Sequence, residues 1–315
     1  MLLVLGRSTL LAKMALLASC VLLTSCINVQ VDTQEEGMPE HQSNIVLTSV
    51  GPIYSITSAL VEGTGVEVLN MPDRARSLAA QPTWLAKQSE PFYETFEQAD
   101  AVVSMGNLWR YDSLYLTVRE HNIGVVNIDA TLPYSSQLTG VSVVNSPSSG
   151  EASPYFWLSP ANIIRSAKII SNDLARLFPE SAEIIRMNEQ QISAELLAQK
   201  RDFEVALVST DPYIYALADE FSYLTTEYGI YVEDYFVKQD INWTEDDLAQ
   251  LTVTLKEGGI PIVIHKWEPS ETIQAAIQAG GSRLVVLNTF ETSTADINVI
   301  ATENLAQLIS ALPSL

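Results

Sequence analysis

Residues 153–202 read SPYFWLSPANIIRSAKIISNDLARLFPESAEIIRMNEQQISAELLAQKRD, and their periodicity decides the architecture of the chain. The stretch opens on an aromatic turn bracketed by Pro154 and Pro160. Pro160 suits the first turn of a helix, where its missing N–H would have no partner anyway, and Ser159 before it is the natural N-cap. Ile163, Ile164, Ala167, Ile170, Leu174 and Leu177 then recur at steps of three and four, which predicts a helix with one apolar face. Pro179 interrupts the run, and Ile184, Ile185, Ile192, Leu196 and Phe203 continue the stripe. A helical run of this length predicts a rigid spine over 153–202 that joins a lobe on either side.

Both flanks read as alternating strands and helices. Before the spine, strands are expected at 43–50 (SNIVLTSV), 66–71, 101–105 (AVVSM) and 124–128 (GVVNI), with helices at 52–62 and around 111–121. Residues 135–153 are rich in Ser, Gly and Pro and predict a surface loop. After the spine, strands are expected at 213–217, 231–236, 260–264 (IPIVI) and 283–287 (RLVVL). Helices are expected at 220–228, from a Thr244 cap to Lys256, at 269–279 and at 302–312. Short apolar strands alternating with helices predict a parallel sheet covered on both faces. The fold class is therefore α/β, with two Rossmann-like lobes, 44–152 and 203–315. Ligands of such sheets bind beyond the carboxyl ends of the strands, here where the lobes face each other.

The first 26 residues contain no acid, and Arg7 and Lys13 precede the apolar run 14–23. That run is too short to span a bilayer but suits a signal peptide, expected over 1–25. It ends Leu23-Thr24-Ser25-Cys26, which resembles a bacterial lipobox. Cleavage there would leave Cys26 as a lipid anchor, with more than one chain needed for stable attachment; the other reading is an ordinary signal with an incidental cysteine. Ile27, rather than Asp, then favours the outer membrane if the cell has one. Cys20 lies inside the leader, so the mature chain holds no disulfide and no thiolate metal site. Residues 26–43 read as an acidic tether.

The 17 Lys and Arg against 38 Asp and Glu give a net charge of −21, more acidic still once Arg7 and Lys13 leave. That argues against nucleic acid and anionic membrane surfaces as partners. The excess acid reads either as weak attraction for cations or as solubility alone. No nucleophile elbow, phosphate-cradling glycine loop or Cys-His pairing is present, so the chain does not read as an enzyme.

Pro154, Trp157, Leu158, Pro160, Leu174, Pro179 and Asn188 carry a resemblance. They match the pattern Asp-Pro-His-x-Trp-Leu-x-Pro and the long helix after it in the TroA-like (cluster A-I) solute-binding lipoproteins of zinc and manganese ABC importers. The phrases LTSVGPIYSITSALV (47–61), EQADAVVSMGN (97–107) and GVVNIDAT (124–131) resemble that family's first lobe in order and spacing. The resemblance implies a monomeric envelope receptor with a helical backbone. It implies zinc or manganese as cargo, and ABC permease and ATPase subunits as partners.

The ligand positions implied by the resemblance depart from its pattern. The His of the aromatic turn is Tyr155, and the Asp before it is Ser153. The first-lobe His should fall within 71–82, a stretch without His that carries Arg74 and Arg76 beside Asp73. The third position is Ala218, followed by Asp219, and the fourth is Asn288. Tyr155 reads as a packed aromatic or as a ligand contact through its hydroxyl. Asn288 reads as a turn cap or as a solute contact. Arg74 and Arg76 read as solvated charge or as an anion clamp. His265 ends the strand IPIVI and reads as a hydrogen-bonded structural imidazole or as a substitute ligand with Asp219, Glu268 or Glu291. Trp109 completes the residues expected at the cleft. A tight site needs several converging donors, so metal binding is expected to be weak, altered or absent. Two other readings stay open: a receptor for a small anionic solute in the same cleft, and a non-transport envelope lipoprotein that serves as an interaction module.

Overall fold

The computed structural model describes residues 44–72 and 76–315. The expected leader, Cys26, the tether and Arg74 lie outside the described residues. Within them the chain runs β1 (Ile45–Thr48), α1 (Gly51–Leu60), β2 (Glu67–Asn70), α2 (Gln81–Gln88), α3 (Tyr93–Gln98), β3 (Ala101–Ser104), α4 (Leu114–His121), β4 (Val126–Asp129), α5 (Pro160–Leu177) and α6 (Ala182–Leu207). It continues with β5 (Tyr213–Ala216), α7 (Ser222–Glu227), β6 (Tyr231–Tyr235), α8 (Glu245–Gly258), β7 (Ile262–His265), α9 (Glu271–Ala279), β8 (Arg283–Val286) and α10 (Ile297–Ala311).

The strands form two four-stranded sheets, ordered β2-β1-β3-β4 and β6-β5-β7-β8, and every pairing is parallel. The second sheet repeats the order of the first. The central strands β1, β3 and β7 are buried along their whole length, as strands covered by helices on both faces must be. The α/β fold with two parallel sheets and a long connecting helix is thus the one expected.

One apolar core runs through both lobes. It joins Val46, Ile53 and Val103 of the first to Ile264, Leu287 and Leu305 of the second through Ile163, Ile170, Leu174, Ile185 and Leu196 of α5 and α6. Two smaller cores cover the outer faces of the sheets, one around Leu47, Phe96 and Leu114 and one around Leu217, Leu255 and Val263.

The run 153–202 needs correction as a single rod. Ser159 does cap α5, accepting a hydrogen bond from the Asn162 N–H at 3.1 Å, and Ile163, Ala167, Ile170 and Leu174 form its buried face. The helix stops at Leu177 because Phe178 precedes Pro179, and the proline ring disfavours helical backbone in the residue before it. Phe178 leaves the helix at φ −117°, ψ 73°, and the chain turns back through the short turn Pro179–Ser181. The end of α6 then returns to the start of α5. Glu227 accepts from the Ala161 N–H at 3.1 Å and lies 3.6 Å from the Lys200 ammonium. The connecting helix is therefore α6 alone, 26 residues and about 39 Å long. Asn188 fixes it to the first lobe, donating to the Leu60 and Glu62 carbonyls that end α1, at 3.0 and 2.9 Å. Ile184, expected on the buried stripe, is exposed, and Ile185 takes the inward place.

Between β2 and β3 the chain forms α2 and α3, short helices that the sequence reading leaves unassigned. Helix α10 begins at Ile297, ahead of the expected 302, because Asp296 caps it by accepting from the Asn298 N–H at 2.8 Å. Residues 135–153 make a loop closed by an isolated bridge between Asn145 and Ala152.

Candidate functional site

The lobes meet beyond the carboxyl ends of their strands, and the segment after β8 crosses between them. Asn288 organises that segment. Its N–H donates to Asn304 Oδ1 at 2.8 Å, its carbonyl accepts from Asn304 Nδ2 at 2.7 Å, and its Oδ1 accepts from the Phe290 N–H at 2.8 Å. The amide is therefore used as a turn cap. Phe290 is buried at a positive φ of 57°, which sends the next residue across the interface. Trp157 Nε1 donates to the Thr289 carbonyl at 2.8 Å. The Ser293 carbonyl lies so near Gly51 that a Cβ on that glycine would sit 2.1 Å from it.

Glu291 is the side chain this segment delivers. Its Oε2 accepts from the Leu78 N–H of the first lobe at 3.1 Å and from the Tyr155 hydroxyl, at the start of the helical run, at 3.4 Å. Burial raises the Tyr155 pKa well above its usual value, and Glu291, Glu220 and Asp219 push it further in the same direction. The phenol therefore stays protonated and acts as a donor, while its ring stands edge-on to Trp157 at 5.4 Å. A cavity of about 10 Å³ is lined by Glu291 with Ser49, Gly51, Asn70, Arg76 and Gln81 among others. The Arg76 guanidinium lies 5.8 Å from the Trp84 ring centre, and its Nε is buried without a partner. Gln81 is 2% exposed; its Nε2 donates to the Ser49 carbonyl, and its Oε1 has no partner.

On the second-lobe side the expected pairing of His265 with Asp219 is not formed. Asp219 accepts hydrogen bonds from the Ser146 and Ser148 hydroxyls of the first-lobe loop. His265 Nδ1 accepts from the Lys266 N–H at 2.9 Å, which leaves Nε2 as the protonated nitrogen, 3.9 Å from Asp240 Oδ1. Burial lowers the His265 pKa to about 4, against a smaller opposing pull from Asp240. Its ring packs on Trp267 at 4.6 Å. Ala218 is buried, Glu220 pairs with Lys266, and one Glu220 oxygen, Oε2, is buried without a partner. Glu268 is exposed, and Glu291 is engaged by Leu78 and Tyr155. Trp109 is half-buried against the core, 6.3 Å from the Tyr111 ring. Among the described residues no group of three or more His, Cys, Asp or Glu is placed to hold a metal.

The geometry thus brings Tyr155 to Glu291, places Arg76 on a cavity that Glu291 also lines, and gives His265 and Asp219 different partners. The sequence reading passes over Gln81, Asp240, Glu220 and Lys266. The last two were adjacent to named candidates, but their pairing spans 46 residues and leaves no local signature.

The chain matches the family described as "ZnuA: Zinc-uptake complex component A periplasmic" over residues 46–311. Among solved structures, a mutant of FpvC from Pseudomonas aeruginosa is similar at 18% identity and a TM-score of 0.67, covering 85% of this chain and 98% of that one. The metal-dependent lipoprotein YcdH from Bacillus subtilis is similar at 18% identity and a TM-score of 0.68, with the same coverage of 85% and 98%. Zn(II)-bound AdcA from Streptococcus pneumoniae is similar at 19% identity and a TM-score of 0.65, covering 86% of this chain and 59% of that one. No curated protein matches the chain.

Proposed function

The chain belongs to the ZnuA family of periplasmic zinc-uptake components, and on that premise we propose that it is an envelope-anchored solute-binding protein of an ABC importer whose cleft does not hold zinc or manganese tightly. Permease and ATPase subunits are its partners under this reading, and the lipid on Cys26 is its anchor. The observation that carries the proposal is the setting of Glu291. The carboxylate is held by a neutral phenol and a backbone amide, and Glu291 lines a cavity with Arg76. A phenol that keeps its proton offers a dication little, and a guanidinium beside the site repels it by several kcal/mol at ~4 Å. His265 would have to leave Lys266, Asp240 and Trp267 to contribute its imidazole.

Native mass spectrometry of the protein purified from its own host tests the proposal. The expected spectrum carries the lipid mass on Cys26 and no stoichiometric zinc or manganese. One retained zinc or manganese ion per chain would overturn the metal part of the reading. Release of a Cys26→Ser variant from the membrane fraction is expected, and unchanged membrane partitioning would overturn the anchor.

A further inference from the structure

We propose that Arg76, Gln81, Tyr155 and the Leu78 amide form a binding site for a small 2-hydroxycarboxylate, and that Glu291 fills the carboxylate half of this site from within the chain. This rests on the reading of the cleft as a poor metal site and names the solute class that it takes instead.

The carboxylate half is visible because a carboxylate sits in it. Glu291 Oε2 takes the Leu78 N–H of the first lobe and the Tyr155 hydroxyl of the connecting run. The hydroxyl half is visible as an unmet need. Arg76 Nε–H is a buried donor without an acceptor, and Gln81 Oε1 is a buried acceptor without a donor. Arg76 and Gln81 line one cavity together with Glu291. The amide cannot turn to relieve this, because its Nε2 is committed to the Ser49 carbonyl. A hydroxyl is one donor and one acceptor on a single oxygen, so it answers both needs at once. At about 10 Å³ the cavity has room for one such oxygen and no more. A ligand that places a carboxylate where Glu291 now lies and a hydroxyl in the void therefore matches the site group for group. Burial without partners is costly for both Arg76 and Gln81, so filling the void contributes to affinity as well as to specificity. The solute enters by displacing the Glu291 side chain.

Glycolate and acetate are the probes, since they differ only in the hydroxyl. Removing the side chain in Glu291→Ala deletes one acetate's worth of atoms from the site. Titration calorimetry of the full mature protein is expected to give saturable glycolate binding to Glu291→Ala, roughly tenfold tighter than to the unmodified protein and roughly tenfold tighter than acetate to the same variant. Gln81→Met in that background should abolish the preference for glycolate over acetate, and Arg76→Gln should weaken both. If the alanine variant does not fold, Glu291→Gln keeps the shape without the charge and should still bind glycolate more tightly than the unmodified protein does. Absence of glycolate binding to the folded variant, equal affinity for acetate, or indifference to both Gln81→Met and Arg76→Gln would overturn the proposal. The titrations are run with chelator and again with zinc. Glycolate binding that needs zinc also overturns the proposal, whereas zinc binding that leaves glycolate binding unchanged overturns only the reading of the cleft as a poor metal site.

Discussion

The Tyr155 hydroxyl stands 3.4 Å from the Glu291 carboxylate, so a residue at the start of the helical run and a residue after the last strand meet across the join between the lobes. Tyr155→Phe removes that donor and leaves Glu291 with the Leu78 amide. The expected loss is about 0.5 kcal/mol of unfolding free energy, the lower end for one hydrogen bond, because 3.4 Å is long for an O–H···O contact. Urea denaturation of the variant beside the unmodified protein measures it.

His265 predicts a pH limb. Its folded pKa is about 4, below the ordinary 6.5, because burial disfavours the imidazolium. Between those values the unfolded chain binds more protons than the folded one, so stability rises with pH. The contribution is fully present above pH 6.5 and is lost as pH falls through 4. His265→Gln should flatten the curve in that window by on the order of a few kcal/mol. The acid limb from Asp247, whose pKa Lys238 and Thr244 lower to about 2, should remain at lower pH. Urea midpoints taken from pH 7 down to pH 2 separate the two.

Gly51→Ala places a methyl against the Ser293 carbonyl, 2.1 Å from where its Cβ must go. Backbone cannot yield as a side-chain tip can, so the segment carrying Glu291 must move off α1. The expected cost is about 1–3 kcal/mol, the range for overpacking a closed interface. Thermal unfolding reads the loss, and an unchanged melting temperature would show that the segment sits there loosely.

The parts of the fold that were legible in the sequence are those with a local cause. Ser159 and Pro160 announce the start of α5, and Ile163, Ala167, Ile170 and Leu174 announce its buried face. Pro179 marked an interruption, but whether the chain continues straight or folds back depends on contacts such as that of Lys200 with Glu227, which no window of sequence contains. Helices α2 and α3 were hidden because they are short and carry no clean apolar stripe. In the cleft, the positions of Tyr155, Asn288, Arg76 and Glu291 along the chain point to them as candidates. What each touches was not readable, because Asn304 holds Asn288 from 16 residues away and Leu78 meets Glu291 from 213. The sequence offers Asp219 to His265 only as another residue at the cleft, whereas the loop after β6 supplies Asp240 and the loop before the spine occupies Asp219.

The central claim is that this cleft is no longer a tight zinc or manganese site. Titration calorimetry of the demetallated mature protein with each ion tests it most directly, with His265→Ala as the companion variant. The account predicts no one-to-one binding tighter than roughly 1 μM for either ion, and no change on His265→Ala. Tight one-to-one binding of zinc or manganese that the substitution abolishes would contradict it.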